Sequence, residues 1–377
     1  MRLPLGETIE PLPSVVRDHQ LDTLIHRGFS TEVWTATRLG PAGFGVPVAL
    51  KTLSESCMAT PEYVRTFVHE ARAASCVQHR NVVQIRELFL DDRGRHWICM
   101  DLVAGWPVRA LLSAIEASGQ PIPIPVALAF VRDAARGLQA IHDAGLVHRD
   151  VCPNNLMVAS AGHLVVHDFG RATWPQTDQA RITPSPDAFD AVYSSPDMRA
   201  RLPVDARTDV FSLGALLDQM IPERRGAPIA LDAIIRRALD PDTARRFPSA
   251  QALEVAIDLV SIREGWLVPP SYVAAYLCDV FRSAAFEIPR PRPVVRTAAP
   301  KAAVATPPLE RAPTEVNRTV LPRGHRGMVG VGAMLPGAPV KNDPAVASVP
   351  RPAQPQLARM SLVSRSPTAV TRIRVRR

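Results

Sequence analysis

The sequence predicts an α+β chain of two unequal lobes: a small β-rich lobe with one helix, then a larger helical lobe, followed by a disordered C-terminal tail. Three observations carry this. Between residues 21 and 103, short apolar runs separated by turn residues flank a single stretch of helical period. From about 105, apolar residues recur mainly at helical spacing. From 289 onward no apolar period is sustained, and 15 of the 37 prolines fall there.

The elements follow in order. Leu21–His26, Val33–Thr37 and Val46–Thr52 read as strands, with Gly40-Pro41 and Gly43-Phe44-Gly45 as the connection between the last two. Thr60-Pro61-Glu62 opens a helix, with Thr60 as N-cap and Pro61 in the first position. Val64, Phe67, Val68, Ala71 and Ala74 give that helix one apolar face. Two more strands are expected over 82–90 and 96–103. Ala127, Phe130, Val131, Ala134, Leu138 and Ile141 form a stripe that Gly145 ends. A strand-loop-strand region over 146–170 and a polar loop over 171–195 precede helices near 208–221, 228–239 and 249–263, and a last one over about 270–286. The expected organisation is an N-terminal extension (1–19), a small lobe (20–103), a large lobe (104–265), a helical extension (266–288) and a tail (289–377).

The net charge of +8 is unevenly distributed. Residues 289–377 hold 16 basic and three acidic side chains, +13, whereas residues 1–288 hold 28 and 33, −5. A mildly acidic globule with a basic tail does not point to specific nucleic-acid binding, and none is expected; the tail suits an acidic partner or an anionic surface, or is a plain solvated extension. Aromatics are only 5 % of the chain. The apolar stretches fall short of the ~20 residues that span a bilayer, and Met1 to Pro11 lacks an apolar leader. Five scattered cysteines without a C-x-x-C pair argue against a disulfide scaffold or zinc ribbon. A cytoplasmic protein without a transmembrane segment is the expectation. Lysine is scarce: Lys51, Lys301 and Lys341 stand against 41 arginines. A lone lysine in the globular part marks a place where a compact ammonium fits and a planar guanidinium does not.

Chemistry concentrates in two stretches. Val147-His148-Arg149-Asp150-Val151-Cys152-Pro153-Asn154-Asn155 precedes Leu164-Val165-Val166-His167-Asp168-Phe169-Gly170. Two carboxylates and a carboxamide in tight loops can hold divalent cations through hard oxygens, while one carboxylate stays free to accept a proton. Each alone is ordinary; their order behind Val48-Ala49-Leu50-Lys51 is specific. With V-A-x-K at 48–51, H-R-D-x-x-x-x-N at 148–155, D-F-G at 168–170, S-P-D at 195–197, D-V-F-S-L-G at 209–214 and Arg246-Phe247, the sequence resembles the protein kinase superfamily, most of all bacterial Ser/Thr kinases of eukaryotic type, over about residues 20–265.

The resemblance implies the bilobal protein-kinase-like fold, ATP and Mg²⁺ as cofactors, and protein substrates phosphorylated on Ser/Thr in signalling. Lys51 would pair with the ATP phosphates and with Glu70. Asp150 would accept the acceptor's proton, and Asn155 and Asp168 would bind the metal. Gly28 and Val33 belong to the phosphate loop. Met100 would be the gatekeeper and Asp101 to Val103 the hinge, with Ala49 and Met157 covering the adenine. Asp197 would pair with Arg246, and Asp209 would brace the catalytic loop. Three departures stand out. The glycine-rich loop reads His26-Arg27-Gly28-Phe29-Ser30-Thr31-Glu32-Val33 and keeps one glycine of three. Cys152 stands where such Ser/Thr kinases place a lysine, and Asp190 where they place a threonine. These departures favour the alternative, a pseudokinase-type nucleotide-binding scaffold with weak or no phosphotransfer.

Smaller signals read plainly. His148 is expected to pack rather than transfer protons, and Cys152 to be an inert small residue. Thr173, Thr177, Thr183 and Ser185 are hydroxyls on the 171–195 loop whose phosphorylation would offer Arg149 a partner.

Overall fold

A computed structural model describes residues 14–174, 190–222 and 227–283, all within the unit Met1–Ala302. The expectations for the tail, for Thr177, Thr183 and Ser185, and for residues 284–286 of the last helix lie outside these residues.

The first lobe is an antiparallel six-stranded sheet in the order β1-β2-β3-β4-β6-β5. Its strands are β1 (Val15–Val16), β2 (His19–Arg27), β3 (Thr31–Leu39), β4 (Gly45–Leu53), β5 (Ile85–Leu90) and β6 (His96–Asp101). Period-2 alternation sorts β4 into two faces. Val48 and Leu50 join Trp97, Cys99, Phe89 and Ala36 in one small core. Ala49 and Lys51 point the other way, opposite Met100 and Ile98 of β6. On that second face the short α1 (Glu55–Met58) and α2 (Pro61–Ser75) cover the sheet, burying Cys57, Phe67 and Ala71 against Leu53 and Ile98.

The second lobe begins with β7 (Gly105–Pro107), which runs into α3 (Val108–Ser118). The next helix, α4 (Ile124–Asp143), buries an apolar stripe that includes Phe130, Leu138 and Ile141, and Gly145 ends it at φ 78°. Strands β8 (Leu156–Ala159) and β9 (Leu164–Val166) complete a three-stranded sheet in the order β7-β8-β9. Among the described residues five helices follow: α5 (Pro196–Arg199), α6 (Arg207–Met220), α7 (Ile229–Ala238), α8 (Ala250–Arg263) and α9 (Pro270–Ser283). Helix α6 is buried nearly all round, from Thr208 to Leu217, which places it at the centre of the lobe. No helix among the described residues is long and apolar enough to cross a membrane.

Several expectations are corrected. Thr60 precedes α2 at the cap position, but its side chain makes no capping bond; its carbonyl receives the Tyr63 and Val64 amides instead. Residues 82–84 are not part of β5: Val82 makes only an isolated bridge to Val166, because the chain there turns toward the second lobe. Strand β6 stops at Asp101 rather than 103. Residues 105–107, read as the start of helix, form a strand because Trp106 is buried opposite Val158. Strand β1 lies inside the stretch read as an N-terminal extension, where the buried Val16 anchors it.

Candidate active site

Alternation along β4 aims Lys51 away from the outer core and toward α2, and the buried face of α2 carries Glu70. The Lys51 ammonium donates to Glu70 Oε1 at 2.6 Å and reaches Asp168 Oδ2 at 3.4 Å. Burial alone would lower the lysine's pKa, but the carboxylates of Asp168 and Glu70 outweigh it and raise it above the ordinary value. Asp168 responds in the opposite sense. Burial pushes its carboxyl up, yet the Lys51 charge and a bond from the Gly170 amide at 3.1 Å hold it well below the usual carboxylate range. The lone lysine of the globular part thus lies between acid groups from both lobes.

The second half of the site hangs on Asp209, at the N-terminal end of α6. Its fully buried carboxylate accepts the amides of His148 at 2.9 Å and Arg149 at 2.8 Å, and pairs with His142 Nε2 at 2.8 Å. Burial opposes that charge, but these bonds prevail and lower its pKa. The bonds pin a strained turn, since Arg149 sits at φ 65°, where a non-glycine residue costs about 1–3 kcal/mol. Asp168 also sits at φ 65°. Strain therefore marks both loops that carry the carboxylates Asp150 and Asp168. His148 is buried, bonds the His167 carbonyl through Nε2 at 3.2 Å, and packs on Phe169, itself buried in the large core. Burial holds the neighbouring His167 imidazole at about 4, so it is neutral at pH 7.

Asn155 Nδ2 donates to Asp150 twice, to the carbonyl at 2.9 Å and to Oδ2 at 2.8 Å, which leaves the Asn155 amide oxygen for another partner. Arg171 approaches Asp150 Oδ1 at 3.6 Å. Burial raises the Asp150 carboxyl above its ordinary value, and Arg171 offsets part of that. The donors left on these loops are hard oxygens: the Asp168 carboxylate, whose side chain is 37 % exposed, and the Asn155 carbonyl. Such a set fits Mg²⁺, which takes one or two protein oxygens and completes its shell from phosphate and water.

The remaining residues line up along the sheet. Ala49 pairs with Met100 across β4–β6, and Val33 with Lys51 across β3–β4. Met157 lies on β8 opposite Pro107. Asp101 is held by a two-pronged Arg86 at 2.5 and 2.7 Å, and Val103 packs at the edge of the large core. Gly28 closes the β2–β3 turn, its amide on the Thr31 carbonyl at 2.8 Å, with His26 Nε2 3.0 Å from where a Cβ would stand. Phe29 at the tip is 82 % exposed. Asp197 and Arg246 meet at 2.6 Å in the core. Cys152 is buried. Asp190 falls in a one-turn 3-10 segment, Asp190–Val192.

Three contacts were not read from the sequence. Arg171 carried a legible signal, a basic residue directly after Asp168-Phe169-Gly170. His142 did not, because its pairing with Asp209 spans 67 residues. His69 on α2 bonds the Ala172 carbonyl at 2.6 Å and meets the Trp174 ring edge-on, tying α2 to the segment after Gly170. Thr173 extends that tie. Its backbone pairs with Val147, and its hydroxyl accepts from Arg149 Nη1 at 3.2 Å.

Comparison with known proteins agrees with this arrangement. Residues 27–239 match the family model described as "Protein kinase domain". Tyrosine-protein kinase MasK of Myxococcus xanthus is 30 % identical over 271 residues, 68 % of this chain and 41 % of MasK. Serine/threonine-protein kinase PkaB of Streptomyces coelicolor is 33 % identical over 210 residues, 52 % of this chain and 47 % of PkaB. The chain therefore spans less than half the length of each of these relatives. The crystal structure of the Mycobacterium tuberculosis PknI kinase domain superposes with a TM-score of 0.51 at 25 % identity, covering 67 % of this chain and all of that domain. By the family match, the chain belongs to the protein kinase domain family, as its relatives among bacterial Ser/Thr kinases of eukaryotic type do.

Proposed function

We propose that this chain is a Ser/Thr protein kinase that transfers the γ-phosphoryl group of Mg-ATP to protein hydroxyls in signalling. The observation that carries the reading is the bridge Glu70–Lys51–Asp168 at 2.6 and 3.4 Å, which joins the two lobes in an assembled geometry. Lys51, with Gly28 in the β2–β3 turn, would hold the phosphates, and Val33 on β3 would lie beside the nucleotide. Ala49, Met157, Met100, Asp101 and Val103 would receive the base. Asn155 and Asp168 would hold Mg²⁺, which when bound neutralises charge on the transferring phosphoryl. Asp150, fixed by Asn155 and Arg171, would orient the acceptor hydroxyl and take its proton at a carboxylate oxygen. Arg149 at 3.2 Å from Thr173 and the His69 tie support an ordered start of the segment where acceptors dock.

The choice of Ser/Thr over tyrosine rests on relatives such as PkaB and PksC of Streptomyces coelicolor; MasK, by its name, acts on tyrosine. Incubation with Mg²⁺, labelled ATP and a mixed protein acceptor, followed by acid hydrolysis and phosphoamino-acid separation, tests this. Label in phosphoserine and phosphothreonine is expected; label confined to phosphotyrosine overturns it. A second reading, a nucleotide-binding scaffold, is favoured by one observation: at the single glycine of the phosphate loop, Gly28, a Cβ would stand 3.0 Å from His26 Nε2, so the imidazole occupies space beside the loop backbone.

The environment of Asp150 sets a pH dependence. The base must be ionised, and burial raises its pKa, so the rate should rise with pH through a limb above the ordinary Asp value of about 3.9. The Arg171 charge lowers that pKa. Arg171→Ala therefore removes a stabiliser of the ionised form and moves the acidic limb of kcat/KM to higher pH. A limb unchanged in position would separate Arg171 from the base.

A further inference from the structure

We infer that α9, which begins 31 residues beyond the family match at 239, is a positioning element for the nucleotide and metal residues, acting through the sheet β7-β8-β9. The inference rests on the functional reading above and extends it to a part of the chain that reading does not use.

The β8–β9 hairpin is a short lever. One end carries Asn155, immediately before β8, and His167-Asp168, immediately after β9; β8 itself carries Met157. The other end is the turn around Gly162, at φ 85°. That turn is pressed against the first turn of α9 so closely that a Cβ on Gly162 would stand 1.9 Å from the Pro270 carbonyl oxygen and 2.9 Å from the Ala274 nitrogen. Backbone touches backbone there, and only glycine permits both the approach and the positive φ.

A second contact lies at the far end of α9. Phe281 stacks on Trp106 with ring centroids 4.0 Å apart and planes 9° from parallel, both rings being almost wholly buried. Trp106 belongs to β7, the strand reached directly from the Asp101–Val103 segment, and it pairs with Val158 of β8. Its neighbour Gly105 leaves no freedom in that pairing, since a Cβ there would meet the Val158 carbonyl oxygen at 2.1 Å. Between the two contacts, Val273 and Leu277 continue the buried face at i, i+4 and i+8. Helix α9 thus spans the sheet like a splint, about 20 Å long, clamped to the hairpin turn at Pro270 and to β7 at Phe281. A sheet whose strands are three, four and three residues long has little stiffness of its own. With the splint in place, Asn155, Met157 and Asp168 are held in one orientation relative to the segment entering β7.

The test uses the full chain and compares two core truncations. Phe281→Ala removes the stack. Leu231→Ala truncates another fully buried side chain, on α7, a helix that packs on α6 and α8. Phe281→Leu serves as a milder version should the alanine variant not fold. Thermal unfolding calibrates the loss of stability, titration with Mg-ADP reads nucleotide affinity, and steady-state kinetics split KM for ATP from kcat. The expected result is an affinity about tenfold weaker (about 1.4 kcal/mol) for Phe281→Ala, a parallel rise in KM and faster amide exchange over 156–166, with Leu231→Ala near wild type in all three. Equal affinities in the two variants at matched stability would overturn the role of α9. Failure of the unaltered chain to bind Mg-ADP would overturn the functional reading first and the inference with it.

Discussion

Asp150→Asn should lower phosphotransfer by about 10²–10⁴-fold while leaving Mg-nucleotide affinity unchanged. The magnitude is that of a positioned proton acceptor, and the side chain is held for such a role. Asn155 and Arg171 fix its two oxygens, and its backbone carbonyl receives the second Asn155 bond. Asparagine keeps the shape and one carbonyl acceptor but cannot take a proton at neutral pH. Asp168→Asn should behave differently. It removes a charge beside Lys51 and a hard ligand at once, so affinity for nucleotide in the presence of Mg²⁺ should fall together with transfer. Single-turnover transfer set beside equilibrium binding separates the two outcomes. Binding lost in Asp150→Asn, or transfer retained in it, would reject the assignment of the base; label persisting in both variants would trace to a contaminating enzyme.

Much of this was legible in the sequence, for physical reasons. Lys51 stood out as the lone lysine of the first 288 residues, and the resemblance gave it its role; the alternation along β4 is what turns it away from Val48 and Leu50. Helical spacing from Pro61 onward put Glu70 on a helix, and its buried face proved to be the one toward Lys51. Asp209 and Asp197 were legible only through the resemblance, because buried carboxylates far from their partners in sequence leave no local pattern. What stayed hidden was set by tertiary contact. Gly105-Trp106-Pro107 has too few residues for a period, and only pairing with β8 makes it a strand. Val15–Val16 is a strand because it has β2 to lie against. The Thr60 hydroxyl fitted a cap by residue type, but side-chain orientation is not written in spacing. The Trp106–Phe281 stack joins positions 175 residues apart, which no local reading reaches.

The largest effect on stability should come from Asp197 and Arg246. Their side chains meet at 2.6 Å, with exposures of 9 % and 0 %. Arg246 also donates to the Asp240 carbonyl at 2.8 Å and the Arg207 carbonyl at 3.2 Å, and stacks 5.1 Å from the Phe211 ring centre. Asp197 accepts from Thr208 at 2.6 Å. One guanidinium thus joins α5, the start of α6 and the loop before α8. Removing either partner leaves the other charge buried without its counterion, so Asp197→Ala or Arg246→Ala should each cost about 3–5 kcal/mol. At ~2–4 °C per kcal/mol for a domain of this size, Tm should fall by roughly 6–20 °C. Burial raises the Asp197 carboxyl, but bonds from Thr208 and Arg246 outweigh it, so its pKa in the folded state is depressed. The bridge therefore contributes in full above the unfolded Asp value of about 3.9 and is lost as pH falls through the lower folded value. The double variant Asp197→Leu with Arg246→Met should recover part of the loss, because it leaves no lone charge; the bonds that Arg246 gives to the Asp240 and Arg207 carbonyls are lost with it, which limits the recovery. Chemical unfolding of the two single variants and the double variant closes the cycle. A double variant as unstable as the sum of the singles would mean that the two charges do not act on each other and that Arg246 stabilises through its carbonyl bonds alone.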